Sequence, residues 1–268
     1  MIFLSKSVTR TDLGLLNSIR VLFRMVLDRQ RRVALLQTFN DEIYWDDYVK
    51  NWHKSDMSKK TEYLGCEWTG QIPLLELIRK YSSRDMVALE VGCGVGRITS
   101  EAVKLFEHVY VADISKEMLR GCQVAVGLKN VTLQKTDGFT LKELSDASVD
   151  LVLSHDVFVH FSSEQVFPYL VEIRRVLKSG GIGILSFHDF VKSFEGFKRS
   201  SLDYWSKRRF PPQMGEHFIT EEMVRLMLGD LGFEIVEVDT RSFLIVVFRK
   251  SSSLPPSNSS STTDDTLE

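Results

Sequence analysis

The chain between residues 86 and 250 carries two kinds of hydrophobic pattern, which alternate along the sequence. Short runs of consecutive apolar residues predict strands that are buried on both faces. Longer stretches with apolar residues every three or four positions predict amphipathic helices. The predicted strands are MVALEV (86–91), HVYVADI (108–114), NVTLQKTD (130–137), VDLVLSHD (149–156) and GGIGILSF (180–187), and the predicted helices span 97–106, 115–128 and 163–177.

The order of these elements predicts the fold class. Buried strands that alternate with helices are typical of a parallel sheet covered by helices on both faces. The segment 232–250 holds two apolar strands with almost no connection between them, which is the pattern of an antiparallel hairpin. We therefore predict an α/β fold with a mostly parallel sheet, helices on both faces and a C-terminal antiparallel hairpin strand.

The two ends of the chain differ from this central part. Residues 1–59 predict an N-terminal helical extension, and the Ser- and Pro-rich residues 251–268 predict a disordered tail, which leaves 60–250 as the folded domain. Residues 1–32 carry seven Lys or Arg against two Asp, and these charges interrupt the apolar stretch too often for it to span a bilayer. We interpret the segment as a helix packed on the domain, with weak contact to a membrane surface through residues 13–32 as the alternative.

Composition excludes several classes of protein and partner. A net charge of −2 over 268 residues gives no overall attraction to nucleic acid. The three cysteines, Cys66, Cys93 and Cys122, are widely spaced and form neither a disulfide pattern nor a zinc-binding motif. We therefore expect a cytoplasmic protein without a bound metal. The sequence does not predict an oligomeric state.

A glycine-rich turn follows the first predicted strand. In VALEVGCGVGRIT (87–99) the spacing is G-x-G-x-G, one residue tighter than the G-x-G-x-x-G of dinucleotide sites. Glu90 stands in the strand just before the turn, where its charge would repel a pyrophosphate and would suit an ammonium or sulfonium group. The turn therefore favours a positively charged nucleoside bearing an amino acid.

Acidic residues follow the next two predicted strands. Asp113 ends VYVAD, and a carboxylate at this position typically accepts hydrogen bonds from both hydroxyls of a ribose. Asp137, in the TDG that follows the third strand, is placed to accept a hydrogen bond from an exocyclic amine such as that of adenine. The alternatives are that Asp113 only caps the helix that begins near Ser115, and that Asp137 is a turn residue before Gly138.

These motifs, in this order, resemble those of the class I S-adenosylmethionine-dependent methyltransferases, which have a Rossmann-like sheet. The resemblance runs over about residues 60–250 and includes ALEVGCGVGRIT, VYVADIS, KTDG, DLVLSHDVFVHF, LKSGGIGILSF and HFITEEMVRLMLGDLGFEIVEV. It implies S-adenosyl-L-methionine as the cofactor. It implies that Glu90, Gly92, Gly94 and Gly96 line the methionine part with Cys93 as a small packing residue among them, that Asp113 holds the ribose, that Ile114, Asp137 and Gly138 meet the adenine, and that Ser154 and His155 pass the methionyl end through their backbone.

The segment SHDVFVHF (154–161) follows the fourth predicted strand and faces the place of the transferred methyl group. Its S-x-D-x-x-x-H spacing resembles that of phosphoethanolamine methyltransferases, in which the matching Asp and His lie near the substrate. Asp156 and His160 are therefore the candidate catalytic residues, either of which would act as the base that removes a proton from the acceptor. The alternative is that both only cap and pack the start of a helix.

The acceptor is expected to be a small molecule methylated on an oxygen or nitrogen atom. The segment 188–217 mixes aromatic and basic residues, which is typical of a cover for an anionic or aromatic small substrate, of a surface for single-stranded RNA, or of a solvated loop packed by its own aromatic residues. Tyr63 and Trp68 are candidates for lining the cofactor mouth. Three other functions stay open: an RNA- or protein-directed methyltransferase, a non-catalytic module that binds S-adenosylmethionine, and an NAD-linked oxidoreductase.

Overall fold

The computed structural model describes residues 41–50, 71–127, 129–206 and 216–252. Residues 41–50 are helical and are called α1. The other helices are α2 (Gln71–Tyr81), α3 (Thr99–Ala102), α4 (Lys116–Val126), the 3-10 turn η1 (Phe158–His160), α5 (Ser163–Val176), α6 (Phe194–Ser206) and α7 (Glu221–Asp230). The strands are β1 (Val87–Val91), β2 (His108–Asp113), β3 (Val131–Lys135), β4 (Val149–Ser154), β5 (Leu177–Asp189), β6 (Phe218–Ile219), β7 (Phe233–Asp239) and β8 (Leu244–Lys250).

Eight strands form one sheet in the order β3-β2-β1-β4-β5-β8-β7, with the short β6 paired to the end of β5. The pairs from β3 through β5 are parallel. β8 runs antiparallel between β5 and β7. The predicted parallel sheet with an antiparallel C-terminal hairpin is confirmed.

Helices cover both faces of the sheet, as the uninterrupted apolar strands predicted. In β1, Leu89 and Val91 belong to the core under α5 and α7, whereas Ala88 belongs to the core under α2 and α4. Successive side chains of a strand point to opposite faces, so each strand contributes to both cores. Glu90 shares the face of Ala88 and is the charged residue of this otherwise apolar strand.

Two helices that border the site begin at side chains that accept backbone hydrogen bonds. Ser115 precedes α4, and its hydroxyl accepts from the amide of Met118 at 3.0 Å. Ser162 precedes α5, and its amide donates to Oε1 of Gln165 at 2.9 Å, as in a capping box. These contacts satisfy backbone groups that a helix end leaves unpaired, and they fix where each chain segment leaves the sheet.

Two predicted elements differ from the observed ones. The helix expected over 97–106 is reduced to Thr99–Ala102, because the chain then turns so that Phe106 is buried and Asn130 Nδ2 donates to the carbonyl of Val103 at 3.0 Å. The segment 188–217 contains a helix, Phe194–Ser206, that its mixed composition did not predict.

Other predictions fall wholly or partly outside the described residues. They concern the basic segment 13–32, Tyr63, Trp68 and the tail 251–268, of which only residues 251 and 252 are described. The part of the N-terminal extension that is described, residues 41–50, is helical as predicted. Within the described ranges, no helix is long and apolar enough to cross a membrane.

Candidate functional site

A large cavity opens at the carboxyl ends of β1, β2 and β4. Chain connections from β1 run to β2 on one side and from β3 to β4 on the other, so the cavity lies where ligands collect in open α/β sheets. It encloses about 1160 Å³ including its open mouth, which is room for a nucleoside-sized cofactor and a second small molecule. Ten of the thirteen predicted site residues line it: Glu90, Gly92, Cys93, Gly94, Asp113, Ile114, Gly138, His155, Asp156 and His160.

Helix α1 forms one wall of the cavity through Asp41 and Trp45. Another residue of α1, Asp46, attaches the helix to the start of α4. Oδ1 of Asp46 accepts from the hydroxyl of Ser115 at 2.6 Å and from the amide of Glu117 at 3.2 Å, at the positive end of α4. The N-terminal extension therefore contributes directly to the site.

The three glycines of the turn have different surroundings. Gly92 and Gly96 have φ of +74° and +91°. A Cβ on Gly92 would collide with the side chain of Val157, and a Cβ on Gly96 would make a tight contact of 3.1 Å with Cys122. Gly94, with φ of +53°, is the exception: the nearest atom to its added Cβ is the sulfur of Met118 at 4.0 Å. A side chain at Gly94 would fill the cavity, whereas Gly96 lies outside the lining and packs against α4.

Glu90 lies at the base of the cavity and is buried. Its Oε2 accepts a hydrogen bond from Oγ1 of Thr99 at 2.6 Å. Burial raises the pKa of Glu90 well above its usual range, and the bond from Thr99 opposes this shift only in part. A cationic ligand in the cavity would favour the ionised form of this carboxyl group.

Asp113 ends β2 on the same cavity. Its Oδ2 accepts from the amide of Gly94 at 3.1 Å, and its Oδ1 accepts from the amide of Ser115 at 2.8 Å. Burial raises the pKa of Asp113 to about 6, although these backbone hydrogen bonds favour the ionised form. The helix cap is Ser115, so the suggestion that Asp113 serves only as the cap does not describe this structure.

Ile114 and Gly138 line the cavity beside Thr136 and Tyr169. Asp137 does not line it. Its Oδ1 accepts from the amides of Phe139 and Thr140 at 3.0 and 2.7 Å, the turn geometry that was the alternative for this residue. Partial burial acts to raise the pKa of Asp137, but the hydrogen bonds within its own turn have the larger combined effect. The net result is a pKa below the usual value.

Ser154 is the last residue of β4, and His155 comes directly after it. Ser154 is buried and its hydroxyl donates to the carbonyl of Val91 at 2.7 Å, so its side chain holds β1 against β4 and lies outside the lining. His155 lines the cavity, and its Nδ1 lies 3.1 Å from the hydroxyl of Ser186. Burial, with a smaller effect of Arg97, lowers the pKa of His155 to about 3, so the ring is neutral near pH 7.

Asp156 and His160, the two candidate bases, both line the cavity. Asp156 has φ of +62°, a left-handed conformation that Asp tolerates better than most residues, and its amide donates to the hydroxyl of Ser186 at 3.0 Å. Burial raises the pKa of Asp156 to about 6. The ring of His160 packs edge-on against Trp45, with centroids 5.0 Å apart.

Several lining residues were missed from the sequence. Arg97 directly follows the glycine turn, and its charge affects the pKa of Glu90, His155 and Asp156, so it lies near all three. The sequence did contain a signal for Arg97, because it is the one basic residue of VALEVGCGVGRIT (87–99). None existed for Asp41 or Trp45, because their position depends on how α1 packs on the sheet. Among the described residues, no group of three or more His, Cys, Asp or Glu side chains is arranged to hold a metal ion.

The sheet order, the glycine turn and the carboxylates at the ends of β1 and β2 define a class I S-adenosylmethionine-dependent methyltransferase fold. Residues 89–185 match the family described as a methyltransferase domain, and this segment carries the cavity's strand ends. This match and the fold confirm the resemblance to the class I S-adenosylmethionine-dependent methyltransferases that was inferred from the motifs.

Individual relatives are distant. The chain is 25% identical over 171 residues to phosphoethanolamine N-methyltransferase 1 of Triticum aestivum, which covers 62% of this chain and 34% of that protein. It is 29% identical over 133 residues to the malonyl-[acyl-carrier protein] O-methyltransferase of Bacillus cereus, covering 47% of this chain and 49% of the relative. The chain thus spans about a third to a half of the curated relatives it matches.

Solved structures agree on the fold. Magnesium protoporphyrin IX methyltransferase from Synechocystis PCC 6803, solved with bound SAH, aligns with a TM-score of 0.57 and 20% identity over 80% of this chain and 99% of that one. An S-adenosylmethionine-dependent methyltransferase from Mesorhizobium loti aligns with a TM-score of 0.55 and 17% identity over 69% of this chain and 99% of that one. At these identities the alignments show the fold and not the acceptor.

Proposed function

We propose that the protein is an S-adenosylmethionine-dependent methyltransferase that acts on an oxygen or nitrogen atom of a small-molecule acceptor. The observation that carries the proposal is the convergence of Glu90 and Asp113 on one cavity beside Gly94. Two buried carboxyl groups with raised pKa values beside an open glycine suit a cationic nucleoside better than a phosphate.

The described residues fit this cofactor. Asp113 would accept hydrogen bonds from the ribose hydroxyls, and the space beside Gly94 would take the methionine part. Ile114 and Gly138 would lie against the adenine, and Arg97 would pair with the amino-acid carboxylate. When bound, S-adenosylmethionine supplies an electrophilic methyl group on a positively charged sulfur.

The chain's own residues position the acceptor and take up its proton. Asp156 and His160 lie on the cavity wall and are the candidate bases. Burial leaves His155 neutral near pH 7, so its Nε2 can form one hydrogen bond, as acceptor or donor according to the tautomer, without adding a charge. Alignment of the acceptor supplies much of the rate of such a displacement.

A small acceptor is favoured by the wall that α1 places across the site. Trp45 and Asp41 line the cavity. If they border the acceptor, a helix at this position would disfavour a folded protein or a base-paired nucleic acid. The named relatives also act on phosphoethanolamine and on malonyl-[acyl-carrier protein], so the family range includes acceptors of this size and larger carrier-bound ones.

Calorimetric titration with S-adenosylmethionine and S-adenosylhomocysteine tests the cofactor assignment. We expect micromolar binding, and we expect Asp113→Asn to weaken it about tenfold or more because two ribose hydrogen bonds lose their charged acceptor. Asp137→Asn is the matched control, since its carboxylate is engaged by its own turn. Absence of binding by the unaltered chain, or equal losses in the two variants, would overturn the assignment.

Transfer of labelled methyl groups to a cell extract tests the acceptor class. The label is expected in a low-molecular-mass fraction. Label in the protein or RNA fraction would replace the small-molecule proposal with one of the macromolecular alternatives. Binding of the cofactor without transfer to any fraction would favour a non-catalytic module.

A further inference from the structure

The acceptor side of the cavity carries carboxylates from two separate elements. Asp41 lies on α1 and Asp156 follows β4, and both line the cavity. Asp41 is four residues before Trp45 and therefore shares its helix face. Because the Trp45 ring contacts His160, this face is directed at the segment that carries Asp156.

Asp41 lacks a partner for one carboxylate oxygen. Its Oδ1 is fully buried and has no hydrogen-bond partner among the described residues, and burial raises the pKa of the group to about 6. Buried oxygens of this kind are normally hydrogen-bonded. An acidic side chain in such a position is explained if a ligand donates to it.

His155 gives a second, independent sign of a polar ligand. His155 is only 6% exposed, and it lines the cavity. Its Nδ1 contacts Ser186, whereas its Nε2 has no hydrogen-bond partner among the described residues. A polar molecule in the cavity would satisfy this nitrogen together with Asp41.

The charged residues that line the cavity indicate the charge of that molecule. Among the described residues that line the cavity, four are carboxylic acids, Asp41, Glu90, Asp113 and Asp156, and Arg97 is the one Lys or Arg. If Glu90, Asp113 and Arg97 serve the cofactor, the acceptor faces two carboxylates. Opposite charge favours an ammonium group there and disfavours a phosphate.

We propose that the acceptor is an amine without a phosphate group, and that Asp41 and Asp156 hold its nitrogen beneath the ring of Trp45. The inference rests on the proposed function and names its substrate class. An ammonium group over an indole face gains a cation–π attraction, which adds to the two charged hydrogen bonds.

The chemical step then balances without a further reactant. The bound ammonium gives one proton to a carboxylate, and the freed nitrogen lone pair forms a bond to the methyl carbon. The carbon–sulfur bond breaks and its electron pair stays on sulfur, which becomes neutral. The methylated nitrogen carries the positive charge and remains paired with the second carboxylate until release.

Binding of neutral and charged probes to the full chain saturated with S-adenosylhomocysteine tests this proposal. The probes are phenethylamine, its isostere 2-phenylethanol, and phosphoethanolamine, each titrated by calorimetry at pH 7.5. We expect phenethylamine to bind at least about tenfold more tightly than either of the others. Asp41→Asn should remove about tenfold of that affinity, and Asp47→Asn, on the exposed side of the same helix, should not change it.

The outcomes separate this inference from the function on which it rests. S-adenosylhomocysteine affinity is measured for each variant, and an unchanged value shows that the fold and cofactor site are intact. Preference for phosphoethanolamine or 2-phenylethanol, failure of all three probes to bind, or equal amine affinity in Asp41→Asn and the unaltered chain, would overturn the amine proposal while cofactor binding stands. Loss of cofactor binding by the unaltered chain would overturn the function itself.

Discussion

Replacing Gly92 with alanine tests whether the glycine turn is shaped by packing. The residue has φ of +74°, where an alanine costs about 1–2 kcal/mol. The added Cβ would also meet both methyl groups of Val157, and overpacking of this kind costs about 1–3 kcal/mol more. We therefore expect Gly92→Ala to lower the free energy of unfolding by about 2–5 kcal/mol.

Gly180 provides the matched control for the backbone part of this cost. Its φ is +76°, and a Cβ there meets nothing within 4 Å. Gly180→Ala should therefore cost only the conformational part, about 1–2 kcal/mol. Urea unfolding of both variants measures the difference, which isolates the collision with Val157.

A second substitution in the Gly92→Ala background completes the test. Val157→Ala removes the two methyl groups that collide with the new Cβ, so the pair should be more stable than the sum of the single losses predicts. Equal destabilisation by Gly92→Ala and Gly180→Ala, or strict additivity with Val157→Ala, would refute the packing explanation. The glycine would then have to be explained by the ligand alone.

Two further predictions concern the acceptor side. Burial raises the pKa of Asp41 and Asp156 to about 6, so both acids take up protons between pH 7 and pH 5 while the amine stays charged. Phenethylamine affinity should therefore fall over this range. Calorimetry at a series of pH values measures it, and a constant affinity would contradict the prediction. Ser186→Ala removes the hydroxyl that contacts both the His155 ring and the Asp156 amide. Methyl transfer should then slow about tenfold or more, while S-adenosylhomocysteine affinity is unchanged. A parallel loss of both would show that Ser186 supports the fold instead.

The cofactor side of the site could be predicted because its residues sit at fixed places relative to strands. Glu90 and Asp113 lie at the ends of two adjacent parallel strands, and the carboxyl ends of such strands meet at one edge of the sheet. Local sequence therefore determines where these side chains lie. The same logic located Asp156, which is the second residue after β4 and whose amide donates to the hydroxyl of Ser186.

The differences between the predicted and the observed surroundings of the site residues have local and long-range causes. We predicted that Asp137 meets the adenine. In the structure its Oδ1 accepts from the amides of Phe139 and Thr140, so its carboxylate is turned toward its own loop. Gly96 has the spacing of a ligand-binding glycine, yet its neighbour is the backbone of Cys122, a contact across 26 residues that periodicity does not reveal. The packing of α1 is of the same long-range kind.

The site therefore combines two parts with different origins in the sequence. The strand ends and the glycine turn lie within residues 89–185, the segment that matches the methyltransferase-domain family. Asp41 and Trp45 lie outside that segment, on a helix that Asp46 fixes to the start of α4. Because the named relatives carry the names of different acceptors, and α1 lies outside the matched segment, we expect acceptor choice to follow the sequence of α1. Grafting residues 41–50 between relatives should then change which amine or alcohol binds and leave S-adenosylhomocysteine affinity intact.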